Sequence, residues 1–158
     1  MRKAANIPMG WAINNAANIL RKKHVTNFYI EAGGDIQVSG KDAKQQNWSV
    51  GIRNPFNIKE IIKTIFVTTE GVATSGTYIR GQHIYDPFDP AKTSSRVKSL
   101  TVIGKNIYEA DRFATASYAM GVEGIGFIES TPGLEGYMVT DDKQATYTSG
   151  FDRYVLNA

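Results

Sequence analysis

The sequence predicts an α+β domain: a mixed or antiparallel sheet with two main helices packed against it. Two stretches, 10–24 and 106–120, repeat small and apolar residues at helical spacing. Most of the remainder is short β-branched and aromatic runs punctuated by Gly, Asn and Pro, the signature of strands and turns. Strands in runs, not alternating with helices, indicate α+β and not α/β. The 158 residues show no internal repeat and no dividing linker, so 1–158 is read as one domain.

The first helix, over 10–24, follows Pro8, which a helix start tolerates, and ends around His24. Ile13, Ala16, Ala17 and Leu20 give it one apolar face at i, i+3, i+4, i+7. TNFYIEA over 26–32 reads as a buried strand. Gly33-Gly34-Asp35 then permits positive φ or close approach of backbone to a ligand. Ile36–Ser39 resumes as strand and, across the polar turn 40–47, is expected to form a hairpin with Trp48–Arg53. The run 58–69 fits either a helix or a strand; its Ile, Phe and Val content favours a strand from Ile61 to Thr69. Val72–Ile79 and Val97–Ile103 are further strands, separated by the Pro/Ser-rich loop 87–95. Asn106 and Glu109 have capping-box spacing and open the second helix, which Gly121 closes. Residues 122–130 suggest a short helix followed by a strand. Gly136–Thr140 and Ala145–Ser149 form a hairpin through Asp141-Asp142-Lys143, and the terminal FDRYVLNA reads as a surface segment.

Composition narrows function by exclusion. Eighteen basic and fifteen acidic residues leave a formal charge of +3, too small and too scattered for a nucleic-acid partner. Arg21-Lys22-Lys23, the one basic cluster, suits a solvated helix C-terminus. Without Cys, disulfides, thiolate nucleophiles and Cys-based metal sites are excluded, and two distant His do not make a zinc site. No apolar run approaches the ~20 residues of a membrane helix. The basic N-terminus lacks the apolar core of a signal peptide, so the chain as given carries no export signal and would be cytoplasmic by default.

Three groups of residues can carry chemistry. Asp111 and Thr115 lie one helical turn apart, where a carboxylate and a hydroxyl can both reach a hard cation such as Mg²⁺. The pattern is common, and a solvated Asp with a Thr back-bonded to its helix is the ordinary alternative. His83 and Asp86 place an acid–base group three residues before an Asp-Pro turn, and equally fit an incidental surface turn. Thr74, Ser75 and Gly76 bring small side chains and hydroxyls to a strand whose amides could cradle phosphate, or which packs tightly. No P-loop, dinucleotide fingerprint or nucleophile elbow is present.

Taken in order, six stretches resemble the flavin transferases of the ApbE family (FAD:protein FMN transferase). They are Gly10-Trp11-Ala12, AGGDI at 32–36, W-x-V-G-I at 48–52, VATSG at 72–76, H-I-x-D-P at 83–87 and A-D-x-x-A-T-A at 110–116. The resemblance covers residues 10–151, as the C-terminal portion of such an enzyme or a short divergent member. It implies that FAD is split, that FMN is attached through its phosphate to a Thr or Ser of an acceptor flavoprotein, and that AMP is released. It implies Mg²⁺ at Asp111 and Thr115, and an FAD site built from Gly33, Gly34, Asp35, Thr74, Ser75, Gly76, His83 and Asp86. His83 would lie near the pyrophosphate as the catalytic candidate. Family enzymes are longer, often exported or membrane-anchored, so an N-terminal half or a second copy is an expected partner. Met9 and Asn14 stand where the family has Lys and Asp, and the family's basic residue, Thr and Gly are missing after Pro87. Those departures keep two alternatives open, a non-catalytic flavin-nucleotide module and a partner-dependent interaction domain.

Overall fold

The structure, a computed structural model, describes residues 9–76 and 96–155. Helix α1 (Met9–Lys22) leads into β1 (Phe28–Ala32) and β2 (Asp35–Ser39). Strands β3 (Trp48–Asn54), β4 (Asn57–Val67), β5 (Gly71–Gly76) and β6 (Val97–Gly104) follow. Helices α2 (Ile107–Ala119) and α3 (Gly124–Glu129) precede β7 (Glu135–Thr140) and β8 (Ala145–Tyr147). The predicted α+β class holds, and every described pairing is antiparallel.

Three layers result. A six-stranded sheet, ordered β1-β2-β5-β6-β7-β8, is the middle one. On one face lie the helices, over Ala73, Leu100, Val102 and Met138 of the sheet with Ile13, Ile107, Ala110, Ala114 and Tyr118 of α1 and α2. The other face carries the β3–β4 hairpin, whose Val50, Ile52, Ile65 and Val67 meet Ile36, Val38, Val72, Ile103 and Val139. A sheet covered on both faces explains why β2, β5 and β6 are buried along nearly their whole length although their sequences carry polar residues at every second or third position. Each fully buried Ile or Leu in these layers contributes roughly 1.5–3 kcal/mol.

Helix α2 is fixed at its start. Asn106 is its N-cap and accepts the Glu109 amide at 2.9 Å, as the capping-box spacing predicts. Gly71 of β5 passes directly beneath; a Cβ there would stand 2.1 Å from the Ile107 nitrogen, so only glycine fits. Gly121 takes φ +69 just beyond the C-terminal end.

Several expectations are corrected. The Gly33-Gly34 turn joins β1 to β2, and β3 pairs with β4, so β2 and β3 form no hairpin. The 40–47 segment instead carries the chain from the sheet to the hairpin layer. Strand β1 is a half-exposed edge, not a buried strand, because only β2 flanks it. The buried face of α1 is Gly10, Ile13 and Ala17, leaving Ala16 exposed, because α2 packs close against its glycine. Residues 121–129 form a 3₁₀ turn and α3 with no following strand. The C-terminal segment is superficial only in part: Asp152 and Arg153 are exposed, but Phe151 is wholly buried, in contact with Tyr137 and Tyr147.

Candidate functional site

Strand alternation sorts the candidate residues between the two faces. Ala73 faces the helices and Val72 the hairpin, so Ser75 projects to the helix side and Thr74 to the hairpin side. Thr74 accordingly bonds Thr101 across the strands, hydroxyl to hydroxyl at 2.8 Å. The same alternation puts Asp35 and Gln37 on the helix side and Ile36 and Val38 on the other. Because β2 and β5 are antiparallel, with Gln37 opposite Gly71, the Gly33-Gly34 turn lies at the sheet end where β5 finishes at Gly76. His83, Asp86 and Arg80 lie outside the described residues.

On the helix side, two motifs remote in sequence come together. The Gly10 amide, in the first turn of α1, donates to Asp111 Oδ2 at 2.9 Å across a separation of 101 residues. A Cβ on Gly10 would come within 2.6 Å of that oxygen. The carboxylate thus sits at the positive end of α1, where a negative charge is favoured. Its other oxygen makes no hydrogen bond among the described residues. Thr115, one turn further along α2, is exposed and equally without a bond there. A carboxylate oxygen and a hydroxyl are hard donors that suit Mg²⁺, as two positions of a set otherwise filled by water or phosphate. Among the described residues no three acidic or His side chains cluster. Asp35 and Ser75 are buried on the same face.

Gln37 positions this helix, and the sequence reading passed it over. Wholly buried, it accepts the Ile107 amide at 2.8 Å through Oε1. Its Nε2 donates to the carbonyls of Val38 (2.9 Å), Thr69 (2.8 Å) and Glu70 (3.2 Å). One side chain therefore ties β2, the β4–β5 turn and the first turn of α2. The sequence carried little signal for it, because Gln37 occupies an ordinary polar position of the alternating run Asp35-Ile36-Gln37-Val38-Ser39.

On the hairpin side, a cleft of about 160 Å³ is lined by Tyr29, Glu31, Gly33, Gly34, Arg53, Ile61 and Thr74, among others. Tyr29 packs against Trp48 with ring centroids 5.6 Å apart. Burial pushes the Tyr29 phenol above its ordinary value; Glu31 raises it further and Arg53 opposes. Nothing in the sequence pointed to this cleft, because β3 was expected to pair with β2 and not to cover the sheet.

The arrangement has close counterparts. The sequence profile of the ApbE family matches residues 6–138. The chain belongs to the ApbE family. It is 30% identical over 128 residues to the FAD:protein FMN transferase of Vibrio cholerae, covering 75% of this chain and 38% of that protein. With the Escherichia coli K12 protein of the same name it shares 24% identity over 142 residues, 84% of this chain and 40% of that one. Among solved structures, the ApbE protein of Thermotoga maritima superposes with a TM-score of 0.82 at 26% identity, over 94% of this chain and 51% of that chain. The flavin transferase ApbE of V. cholerae gives 0.81 at 27%, over 92% and 50%. The chain thus spans about half the length of the ApbE structures and less than half of these curated relatives.

Proposed function

We propose that this chain carries the catalytic half-site of a Mg²⁺-dependent flavin transferase that uses FAD to flavinylate a protein hydroxyl. The observation that supports it most is the meeting of the Gly10-Trp11-Ala12 helix start with the Ala110–Ala116 motif, through the Gly10–Asp111 hydrogen bond. In the reaction, an acceptor Thr or Ser oxygen forms a bond to the FMN phosphorus of FAD. The pyrophosphate P–O bond breaks, AMP departs with the electron pair, and the hydroxyl proton passes to a base, for which His83 is the candidate. Asp111 and Thr115 would hold the cation, which supplies neutralisation of charge developing on the pyrophosphate. Gly33, Gly34, Asp35, Thr74, Ser75, Gly76 and Asp86 would border FAD. The Gly33-Gly34 turn and Gly76, at one sheet end, offer close backbone approach to it. The Thr74 side chain, turned to the other face, would contribute through its backbone.

The test is incubation of the chain with FAD, MgCl₂ and a Thr-containing acceptor peptide, read by mass spectrometry. A gain of one FMN on the peptide, lost in Asp111→Asn, supports the reading. FAD binding without transfer points instead to a non-catalytic flavin-nucleotide module, which Met9 and Asn14 at the family's Lys and Asp positions favour. No binding at micromolar FAD overturns both.

A further inference from the structure

The β1 edge of the sheet, unpaired on its outer side among the described residues, and the cleft beside it form one surface. The two-residue Gly33-Gly34 turn has positive φ at both positions (59 and 94), as a type I′ hairpin requires. Such a turn makes Ala32 and Asp35 a hydrogen-bonded pair, and the pairs then alternate along β1. Ile30 and Phe28 bond to β2, while Tyr29 and Glu31 turn their N–H and C=O groups outward. The Val38 amide confirms this phase: it points away from its partner Tyr29 and bonds the Glu70 carbonyl at 3.2 Å. Among the described residues nothing meets the outward peptide groups of Tyr29 and Glu31, which are a template for one more strand.

The side chains of those same residues line the cleft on the hairpin face. Glu31 and Arg53 both line it, and no ion pair joins them. A charged side chain entering there would meet one like charge. A hydroxyl can donate to the carboxylate and accept from the guanidinium at once. The volume suits one or two side chains, not a flavin dinucleotide. Strand β1 runs to the Gly33-Gly34 turn, so a segment lying along it emerges at the sheet end where β5 finishes.

We propose that β1 is the docking edge for the acceptor. An extended Ser- or Thr-bearing segment of the partner protein pairs with the outward groups of Tyr29 and Glu31 and places a hydroxyl side chain between Glu31 and Arg53. This rests on the transferase reading for the identity of the partner, and on the edge and cleft for the mode of binding.

The probe is a capped octapeptide alternating Thr with Lys, added at millimolar concentration to the isotopically labelled chain without FAD. Amide exchange is followed by NMR. At ~10 times its Kd the peptide should slow exchange of the Tyr29 and Glu31 amides about tenfold. A version with Asp for Thr should protect less, as should Arg53→Ala with the Thr peptide. Glu31→Pro removes an outward N–H that β2 does not use, so the fold survives and the protection is lost. Unchanged exchange at Tyr29 and Glu31, or equal protection of other amides in Glu31→Pro, overturns the docking edge. Flavin transfer is measured separately by mass. Transfer without edge protection sinks this inference alone, whereas protection without FAD binding or transfer sinks the transferase reading and leaves a peptide-binding edge.

Discussion

Gln37→Leu should be among the most damaging single substitutions outside the apolar core. Leucine fills nearly the same volume but offers no polar atom. The Ile107 amide, no longer donating to Oε1, becomes an orphan donor in the first turn of α2, and the Thr69 carbonyl loses its donor, whereas the Glu70 carbonyl keeps the Val38 amide. A buried unsatisfied group costs about 1–3 kcal/mol. Taking about 2 for the amide and about 1 for the Thr69 carbonyl, less about 1 returned by burying leucine, the net loss is about 2 kcal/mol. For a chain of this size that lowers Tm by roughly 4–8 °C. The assay is urea and thermal unfolding followed by circular dichroism. Gln37→Glu sharpens it, since it keeps the acceptor for Ile107 but sets a carboxylate against carbonyls. Burial raises the folded-state pKa of that Glu, so its penalty relative to wild type is full at neutral pH. It shrinks as pH falls through the raised value and the protonated carboxyl begins to donate. A Gln37→Leu protein within about 1 kcal/mol of wild type would refute the argument that this side chain, not α2's own packing, fixes the helix start.

Asp111 separates structure from charge. Asp111→Ala loses a hydrogen bond to a charged acceptor, about 1.5–3 kcal/mol. Asp111→Asn keeps an acceptor for Gly10 and loses only about 0.3–1 kcal/mol of helix-end electrostatics. Denaturation should therefore rank Ala well below Asn, while Mg²⁺ titration should find both impaired. Gly71→Ala drives a Cβ to 2.1 Å from the Ile107 nitrogen and should cost about 3 kcal/mol or more, or leave the protein insoluble on expression. Bonds from Ser149 hold the Glu129 carboxyl below its ordinary range, and the Thr140 hydroxyl, first among several causes, does the same for Asp142. Both release protons more readily when folded. Their stabilisation is therefore present above the unfolded carboxylate range and lost as pH falls through the depressed folded values. Urea midpoints should separate wild type from Glu129→Gln at neutral pH and converge once the pH falls below the depressed folded value.

What the sequence disclosed depended on how local each constraint was. Helix α2 was legible because its cap, its small-residue face and its terminal glycine are all written within the segment. The strands were legible one by one from their β-branched content. Their partners were not: β2 pairs with β1 and β5, and β3 only with β4, because the 40–47 turn leaves the sheet, and turn composition does not say which way the chain goes. Phe151 looked superficial because its burial comes from the hairpin-side core, Tyr137 among it, on strands that its own segment cannot specify. Spacing put Asp111 and Thr115 one turn apart but equally fitted a solvated pair, and only the family resemblance singled them out. The Gly10 amide that holds Asp111 was visible only as part of a motif, since the contact spans 101 residues.

The sheet acts as a partition, and that changes how the motifs should be understood. Thr74 and Ser75 are adjacent in the sequence yet face opposite layers, so Ala73–Gly76 cannot present all its side chains to one ligand. Asp111, Thr115 and the first turn of α1 belong to the helix side. Tyr29, Glu31 and Arg53 belong to the hairpin side. The two sides meet at the sheet end that carries Gly33, Gly34 and Gly76, where glycine leaves the backbone open to whatever crosses from one face to the other. A reaction joining a nucleotide phosphate to a protein hydroxyl needs two large reactants to meet without competing for one cavity. Reactants approaching along opposite faces of one sheet, and meeting at a glycine-lined end, satisfy that requirement. On the proposed transferase reading, this favours assigning the cleft to the acceptor over a second portion of the nucleotide.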